Sequence, residues 1–335
     1  MPLTRPWLPL ALALALTGCG AVQAPFAPER GASASTASAS APLAELRQAI
    51  APLATVDPLA GRQDLAPIKR AIGEARIVGL GEATHGTREF FRMKHRLFAY
   101  MVEEMGFTVF AIEGHRYAAE ALNRYIQTGE GDPRAILGSE ITQTWHMEEL
   151  LDLVAWMRAY NEKRGDRPAL AYAGFDLQAP QAEIEAVLAA IARLDPARGE
   201  AAAKAYDMPA MIAATPAERA SRLKQVRAIE AWVEKRVPDP RIRYFASVVS
   251  RTAEMFSHVP TPAAEGSIPR YVGARDAGMA ANVEWLASSE YPGRKIALWA
   301  HNSHVGDFKD YAGMKGADMM GRALKARFGK QYYRL

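Results

Sequence analysis

Four short apolar runs, each ending in ionisable or amide side chains and separated by helical periodicity, constrain this chain more than any other feature. They are Arg76-Ile77-Val78, Phe107–Ile112, Ala169–Ala173 and Lys295–Ala300. Runs of this length and residue type read as strands, and strands alternating with helices imply a parallel sheet covered on both faces. All carboxyl ends then lie on one edge, where open α/β folds hold their ligands. The first run leads into Gly79-Leu80-Gly81-Glu82-Ala83-Thr84-His85-Gly86 and the second into Glu113-Gly114-His115. The third leads into Gly174-Phe175-Asp176 and the fourth into His301-Asn302-Ser303-His304. The expected fold is α/β, a parallel-sheet core flanked by helices, whose polar strand ends converge on one crevice.

The Gly79–Gly86 turn carries the most chemistry. Its glycines allow a tight turn and close backbone approach. A histidine there can exchange a proton near neutral pH, and a neighbouring carboxylate can fix its tautomer. Ester hydrolysis needs a base for water, a donor for the developing oxyanion and a proton for the leaving alcohol. His85 supplies the base; protonated His301, His304 or Arg275 supplies the donor. The segments around Ser139 and Ser267 lack the second glycine of a nucleophile elbow. The only cysteine, Cys19, lies outside the catalytic region, which leaves direct attack by water. Glu82, His85, Glu113, His301 and His304 are also ligand types for zinc or manganese, so metal-bound water is the competing chemistry. No His-Glu-x-x-His helix is present, and no cofactor is expected on the first reading.

The segments GEATHGTREFFRMKHRL, GFTVFAIEG, WHMEELLDLVAWMRAYN, YAGFD, YVGARDAGMAANVEWL and ALWAHNSHVGD follow one another across residues 65–330. In this order they resemble the erythromycin esterase family. The resemblance implies an α/β hydrolase that works without a covalent serine. It makes His85 the general base, with Glu82 and Glu113 orienting and polarising that histidine and the water. It also places His301 and His304 in the catalytic cleft and Arg275 facing it. Trp145 and Asp176 lie in matching segments and are expected to contact substrate with Arg275. A small-molecule carboxylic ester or lactone follows, a macrolide lactone being the family's best-known ester and antibiotic resistance its setting. Family members generally continue past the end of this chain with a further strand and helices, so part of the sheet is expected to be missing.

The amino-terminal stretch suggests export. Arg5 precedes an apolar stretch, Trp7–Leu16, too short to span a bilayer, and Leu16-Thr17-Gly18-Cys19 reads as a lipobox. Residues 1–19 are thus expected to be a lipoprotein signal, with the mature chain anchored in a membrane through Cys19 and facing the cell envelope. Residues 20–42, rich in Ala, Ser and Pro, are expected to be a disordered tether. The catalytic domain is expected over 43–335, with a helical lobe at about 181–290 lying over the cleft and prolines punctuating its helices. Arg88, Arg92, Lys94 and Arg96 read as a solvated helix face; His95 and His258 read as non-catalytic, and His115 as a loop residue. A net charge of +4 with no basic run gives no support to nucleic-acid binding. Oligomeric state is not legible. Three functions remain in play: an ester hydrolase, a metal-dependent hydrolase on the same scaffold, and a non-catalytic envelope binding lipoprotein.

Overall fold

Five parallel strands form a sheet in the order β3-β2-β4-β1-β5 in the computed structural model, which describes residues 50–138, 145–260 and 267–335. The strands are β1 (Ile77–Leu80), β2 (Phe107–His115), β3 (Ala171–Asp176), β4 (Lys295–Trp299) and β5 (Tyr332–Arg334). The compact unit that contains them spans Val56–Leu335. The expected lipoprotein signal, Cys19 and the tether lie outside the described residues.

Strict alternation along each strand sorts the core into two layers. Ile77, Val109, Ala111, Ala171, Ala173, Ile296 and Leu298 face one cluster, while Val78, Phe110, Ile112, Tyr172, Ala297 and Trp299 face the other. The second layer is closed by α1 (Ala66–Ile72), α2 (Arg88–Met105), α3 (Arg116–Thr128), α4 (Pro133–Gly138) and α5 (Glu148–Glu162). The first is closed by the block expected as a lobe. It comprises α6 (Gln181–Leu194), α7 (Pro196–Ala205), α8 (Met208–Ala213), α9 (Pro216–Arg236), α10 (Pro240–Ser257) and α11 (Ser267–Trp285). This block packs on the sheet face as an outer layer, and α11 brings its middle to the cleft.

The proline punctuation marks helix starts. Asp195, Asp207, Thr215 and Asp239 cap α7 to α10, each with proline at the first or second helical position. There the missing N–H costs nothing and the fixed φ suits the helix. Thr215 and Glu218 complete a reciprocal capping box.

Three strands run further than their apolar runs: β1 to Leu80, β2 to His115 and β3 to Asp176. β2 continues through Glu113 and Gly114 to His115, which pairs with Asp176 after a register shift. His115 is therefore a buried strand residue rather than a loop residue. β4 lies between β1 and β2, with Val78 opposite Ala297 and Ala111 opposite Leu298. That insertion sets the ends of β1, β4 and β2 side by side. After α12 (Asn302–Val305) and α13 (Met320–Phe328), the chain adds β5 alongside β1. The free edge of β3 is covered by side-chain amides: Asn123, Gln127 and Asn161 bond the backbone of Leu170 and Tyr172.

Candidate active site

The loop after β1 is fastened to the turn after β4. A Cβ on Gly81 would collide with the Asn302 side chain and sit 3.1 Å from Val305, so glycine leaves room for these two side chains against the loop. The Asn302 amide donates to the Glu82 carbonyl at 2.8 Å, and His301 Nε2 lies 3.0 Å from the Ala83 carbonyl. Gly86, at φ 84, turns the chain into α2.

This anchoring buries Glu82 and leaves His85 at the surface. Glu82 Oε2 accepts from Lys94 Nζ and from Trp299 Nε1, both at 2.9 Å. Oε1 is then the acceptor for His85 Nδ1, 2.6 Å away. A proton on Nδ1 leaves Nε2 with its lone pair, and among the described residues nothing hydrogen-bonds that nitrogen. The His85 side chain is 32% exposed. Its ring stands edge-on to Trp145 at 5.7 Å and tilted to His301 at 5.5 Å.

Lys94 was expected on a solvated face with Arg88, Arg92 and Arg96; the structure corrects this for Lys94 and Arg96, while the Arg88 side chain stays 67% exposed. Lys94 is 3% exposed and Arg96 fully buried, the latter held by a fork to Asp64. Arg88 pairs with Glu149 and Arg92 with Asp57. Helical spacing alone hid these partners, because every acid comes from another element. Burial pushes the Lys94 ammonium down to about 8, against the opposing pull of Glu82 and Glu113. Lys94 and Trp299, both missed as site residues, together fix the Glu82 carboxylate.

A second network lies deeper. Glu113 Oε1 accepts from Arg275 Nη2 at 2.8 Å, and Oε2 from the His301 amide at 3.0 Å. It makes no hydrogen bond to His85 and acts on that ring through its charge. Arg275, from α11, places Nε and Nη2 on Asp176 at 3.2 and 2.8 Å. Asp176 also accepts the Leu177 amide, so both its oxygens are occupied within the fold. His304, expected in the cleft, is buried; its Nδ1 meets Asp276 Oδ1 at 2.8 Å. Its Nε2 is 3.3 Å from Glu113 Oε1 and 3.2 Å from Arg275 Nη1. Asp276 is a site residue the sequence reading passed over. Its Oδ1 also accepts the Met320 amide, a contact across 44 residues that no local pattern announces.

The electrostatics follow from this arrangement. Burial alone would raise Glu113, but His304, Arg275 and His85 outweigh it and hold its carboxyl well below the usual range. Burial opposes protonation of His304, yet Glu113 and Asp276 prevail and raise it. As an imidazolium the ring donates to both carboxylates, and Arg275 is then a second cation on Glu113. As a neutral ring it accepts from Arg275 through Nε2. His301 goes the other way: burial lowers it, assisted by His85 and His304 and opposed by the Ala83 carbonyl. Its Nδ1 accepts from the Ser303 amide at 3.1 Å, capping α12. With Nε2 donating to Ala83, neutral His301 fastens the loop and has no proton to spare for an oxyanion. Trp145 is 4% exposed, with Nε1 donating to the Glu113 carbonyl at 2.9 Å, and it supports His85 from the side.

Glu82, His85, Glu113, Asp176, Arg275, His301 and His304 thus meet at one sheet edge. Among the described residues no three His, Cys, Asp or Glu side chains are arranged to hold a metal ion. Nor is any helix among them long and apolar enough to cross a membrane.

A family model described as "Erythromycin esterase" matches residues 102–335. It begins after the Gly79–Gly86 loop, so the placement of His85 rests on the geometry above. The chain is 25% identical over 300 residues to an erythromycin esterase type II of Escherichia coli, covering 81% of this chain and 71% of that protein. A Bacillus cereus protein of known crystal structure superposes with TM-score 0.74 at 28% identity, covering 88% of this chain and 74% of its own. A mutant of the erythromycin esterase EreC in its open conformation has the same fold, with TM-score 0.68 at 20% identity, covering 83% and 74%.

Proposed function

The chain belongs to the erythromycin esterase family and is an ester-hydrolysing enzyme, and from the geometry of its cleft we propose that His85 is the base that activates water. One observation supports this most: Nδ1 is held by a buried carboxylate at 2.6 Å while Nε2 is left without a partner. The same division of labour sets the tautomer of the histidine in Ser-His-Asp hydrolases, here with water in place of the serine. Water attacks the ester carbonyl as its proton passes to Nε2. The tetrahedral oxyanion forms beside Arg275 and His304, whose positive charge favours it. As the alkoxy C–O bond breaks, His85 Nε2 returns the proton to the leaving alcohol, yielding acid and alcohol.

Arg275 contacts substrate in this reading, whereas Asp176 acts through Arg275 and His301 through the loop. Asp176 is thus a positioning residue, in place of the substrate contact first expected. Metal-independent chemistry is part of the proposal, because the side chains that suit a metal are already engaged with one another. A macrolide lactone is the proposed first substrate, given the name of the Escherichia coli relative. Export, lipidation of Cys19 and an envelope location are proposed from residues 1–42 alone.

The test is turnover by the full chain of erythromycin and of simple carboxylic esters, followed by mass spectrometry. Gain of one water by the macrolide supports the whole reading. Cleavage of simple esters alone keeps the mechanism and rejects the substrate. No turnover of either class by a folded chain overturns both. Metabolic labelling with palmitate, lost in Cys19→Ala, tests the anchor.

A further inference from the structure

A polar cavity of about 240 Å³ lies between α3 and the free edge of β3, and the ester-cleaving network contributes no side chain to it. Arg116, at the start of α3, is 7% exposed. Its Nε donates to Glu120 Oε1 at 2.8 Å and its Nη2 to Glu290 Oε2 at 2.7 Å. The third nitrogen, Nη1, has no hydrogen-bond partner among the described residues and keeps an accessible surface. Arg241 Nη2 shares Glu120 Oε1 at 2.7 Å. Arg124, two turns along α3 from Arg116, lines the cavity with no carboxylate partner among the described residues.

The wall chemistry narrows the occupant. Three guanidinia face two carboxylates that are already paired, so one positive charge is left over. Burial pushes nearby Glu183 up to about 7, so near neutral pH it cancels only part of that charge. The neutral groups are donors as well. Asn123 Oδ1 accepts the Tyr172 amide at 2.9 Å, which fixes Nδ2 as the donor. Because the strand alternates, the next amide on that outer edge is that of Gly174, which also lines the cavity. A cation would meet three guanidinia, and an apolar guest would leave the Arg116 nitrogen dry and unpaired. A phosphate dianion exceeds the single charge left over. A carboxylate matches it, with two coplanar oxygens for charge-assisted bonds to guanidinium N–H groups. The volume falls below the roughly 300–1,000 Å³ of a drug-sized site, which suits a short acid.

We propose that this cavity binds a short monocarboxylate, its oxygens held by Arg116 Nη1 and the Arg124 guanidinium. The site is separate from the reaction and stands whether or not His85 is the base.

Binding is read on the full chain by titrating sodium propanoate in place of sodium chloride at constant ionic strength. Sodium phosphate and tetramethylammonium chloride are titrated as other chemistries. The readouts are the Nε–H resonance of Arg116 and the amide resonance of Gly174. Propanoate is expected to shift both to saturation along one curve. Arg124→Gln removes an exposed, unpaired side chain and is expected to keep the melting temperature of the parent. It should weaken propanoate binding about ten-fold, or about 1.4 kcal/mol. Unchanged affinity in that variant would overturn the proposal. Saturation by phosphate or tetramethylammonium but not by propanoate would overturn it in favour of another ion. No saturable shift with any probe would leave a cavity filled by water alone and would equally overturn it.

Discussion

The two polar networks at the carboxyl edge of the sheet use the same residue types and reach opposite ends. In the Glu82–His85 arm, Lys94 and Trp299 satisfy one carboxylate oxygen, the histidine takes the other, and one ring nitrogen remains free at a partly exposed side chain. In the Glu113–Arg275–His304 arm, Asp176 and Asp276 close the network at depth, and each named cation rests on acids of the fold. A free lone pair beside solvent is what a base needs. A closed set of buried charges is what an electrostatic frame needs, since its dipoles need no rearrangement as charge develops. The first arm is thus built to exchange a proton and the second to hold charge in place.

That contrast is broken most directly at His85. His85→Ala is expected to lower kcat/KM by roughly 10²–10⁴, the usual reach of general-base catalysis. Its melting temperature should stay close to that of the parent, because the lost ring is partly exposed. Activity within a few-fold of the parent would remove His85 from the chemistry.

Arg275→Met should lose stability as well as turnover, because the guanidinium braces the fold and also faces the oxyanion. It strands Glu113 and Asp176 as buried carboxylates, and removing one partner of a buried ion pair costs roughly 3–5 kcal/mol. Urea unfolding with an unchanged slope and a lower midpoint checks this. A variant as stable as the parent would mean that the deep arm is not a frame.

The sequence disclosed one half of this comparison better than the other. The four strand ends were legible because each apolar run leads into polar side chains, and the helices between the runs make the strands parallel, with all their ends on one edge. Glu82 and His85 share a glycine-framed turn three residues apart, so their pairing is local and readable. The deep arm is assembled across long separations: Glu113 with Arg275 over 162 residues, and Asp276 with the Met320 amide over 44. Asp276 stands beside Arg275 in the sequence, yet its partners come from α12 and the start of α13. Lys94 was misread for a related reason. Four basic residues on one helix look solvated until Glu82, Asp57, Asp64 and Glu149 arrive from elsewhere to meet them.

A smaller effect sharpens the comparison through pH. His304 is raised above its ordinary value of 6.5 by Glu113 and Asp276, which outweigh burial. Its proton therefore stabilises the fold, fully so below 6.5, and the contribution is lost as pH rises through the higher folded value. His95 is lowered to about 4, so its burial favours the fold above 6.5 and costs stability as pH falls from 6.5 towards 4. His304→Gln should flatten the decline on the alkaline side and leave the acidic side unchanged. His95→Gln should flatten only the acidic side. Loss of the alkaline slope in His95→Gln would reverse the assignment.

The smallest expected effect is that of a chelator, and its size follows from counting free lone pairs. Both Glu82 oxygens are engaged by His85, Lys94 and Trp299; both Glu113 oxygens by Arg275 and the His301 amide. His301 is occupied at both nitrogens by Ser303 and Ala83, and His304 Nδ1 by Asp276. His304 Nε2 sits against Arg275 Nη1 and Glu113 Oε1, which leaves His85 Nε2 and the buried Asp276 Oδ2, whereas a catalytic zinc takes about three protein ligands and keeps one open position. Recruiting a metal would mean dismantling the pairs that hold the loop and the frame. Prolonged dialysis against chelator should therefore leave kcat/KM unchanged within assay error, and elemental analysis should find no stoichiometric transition metal. Activity that falls on chelation and returns with zinc or manganese would show that the two arms rearrange around an ion, and the division between base and frame would then fail.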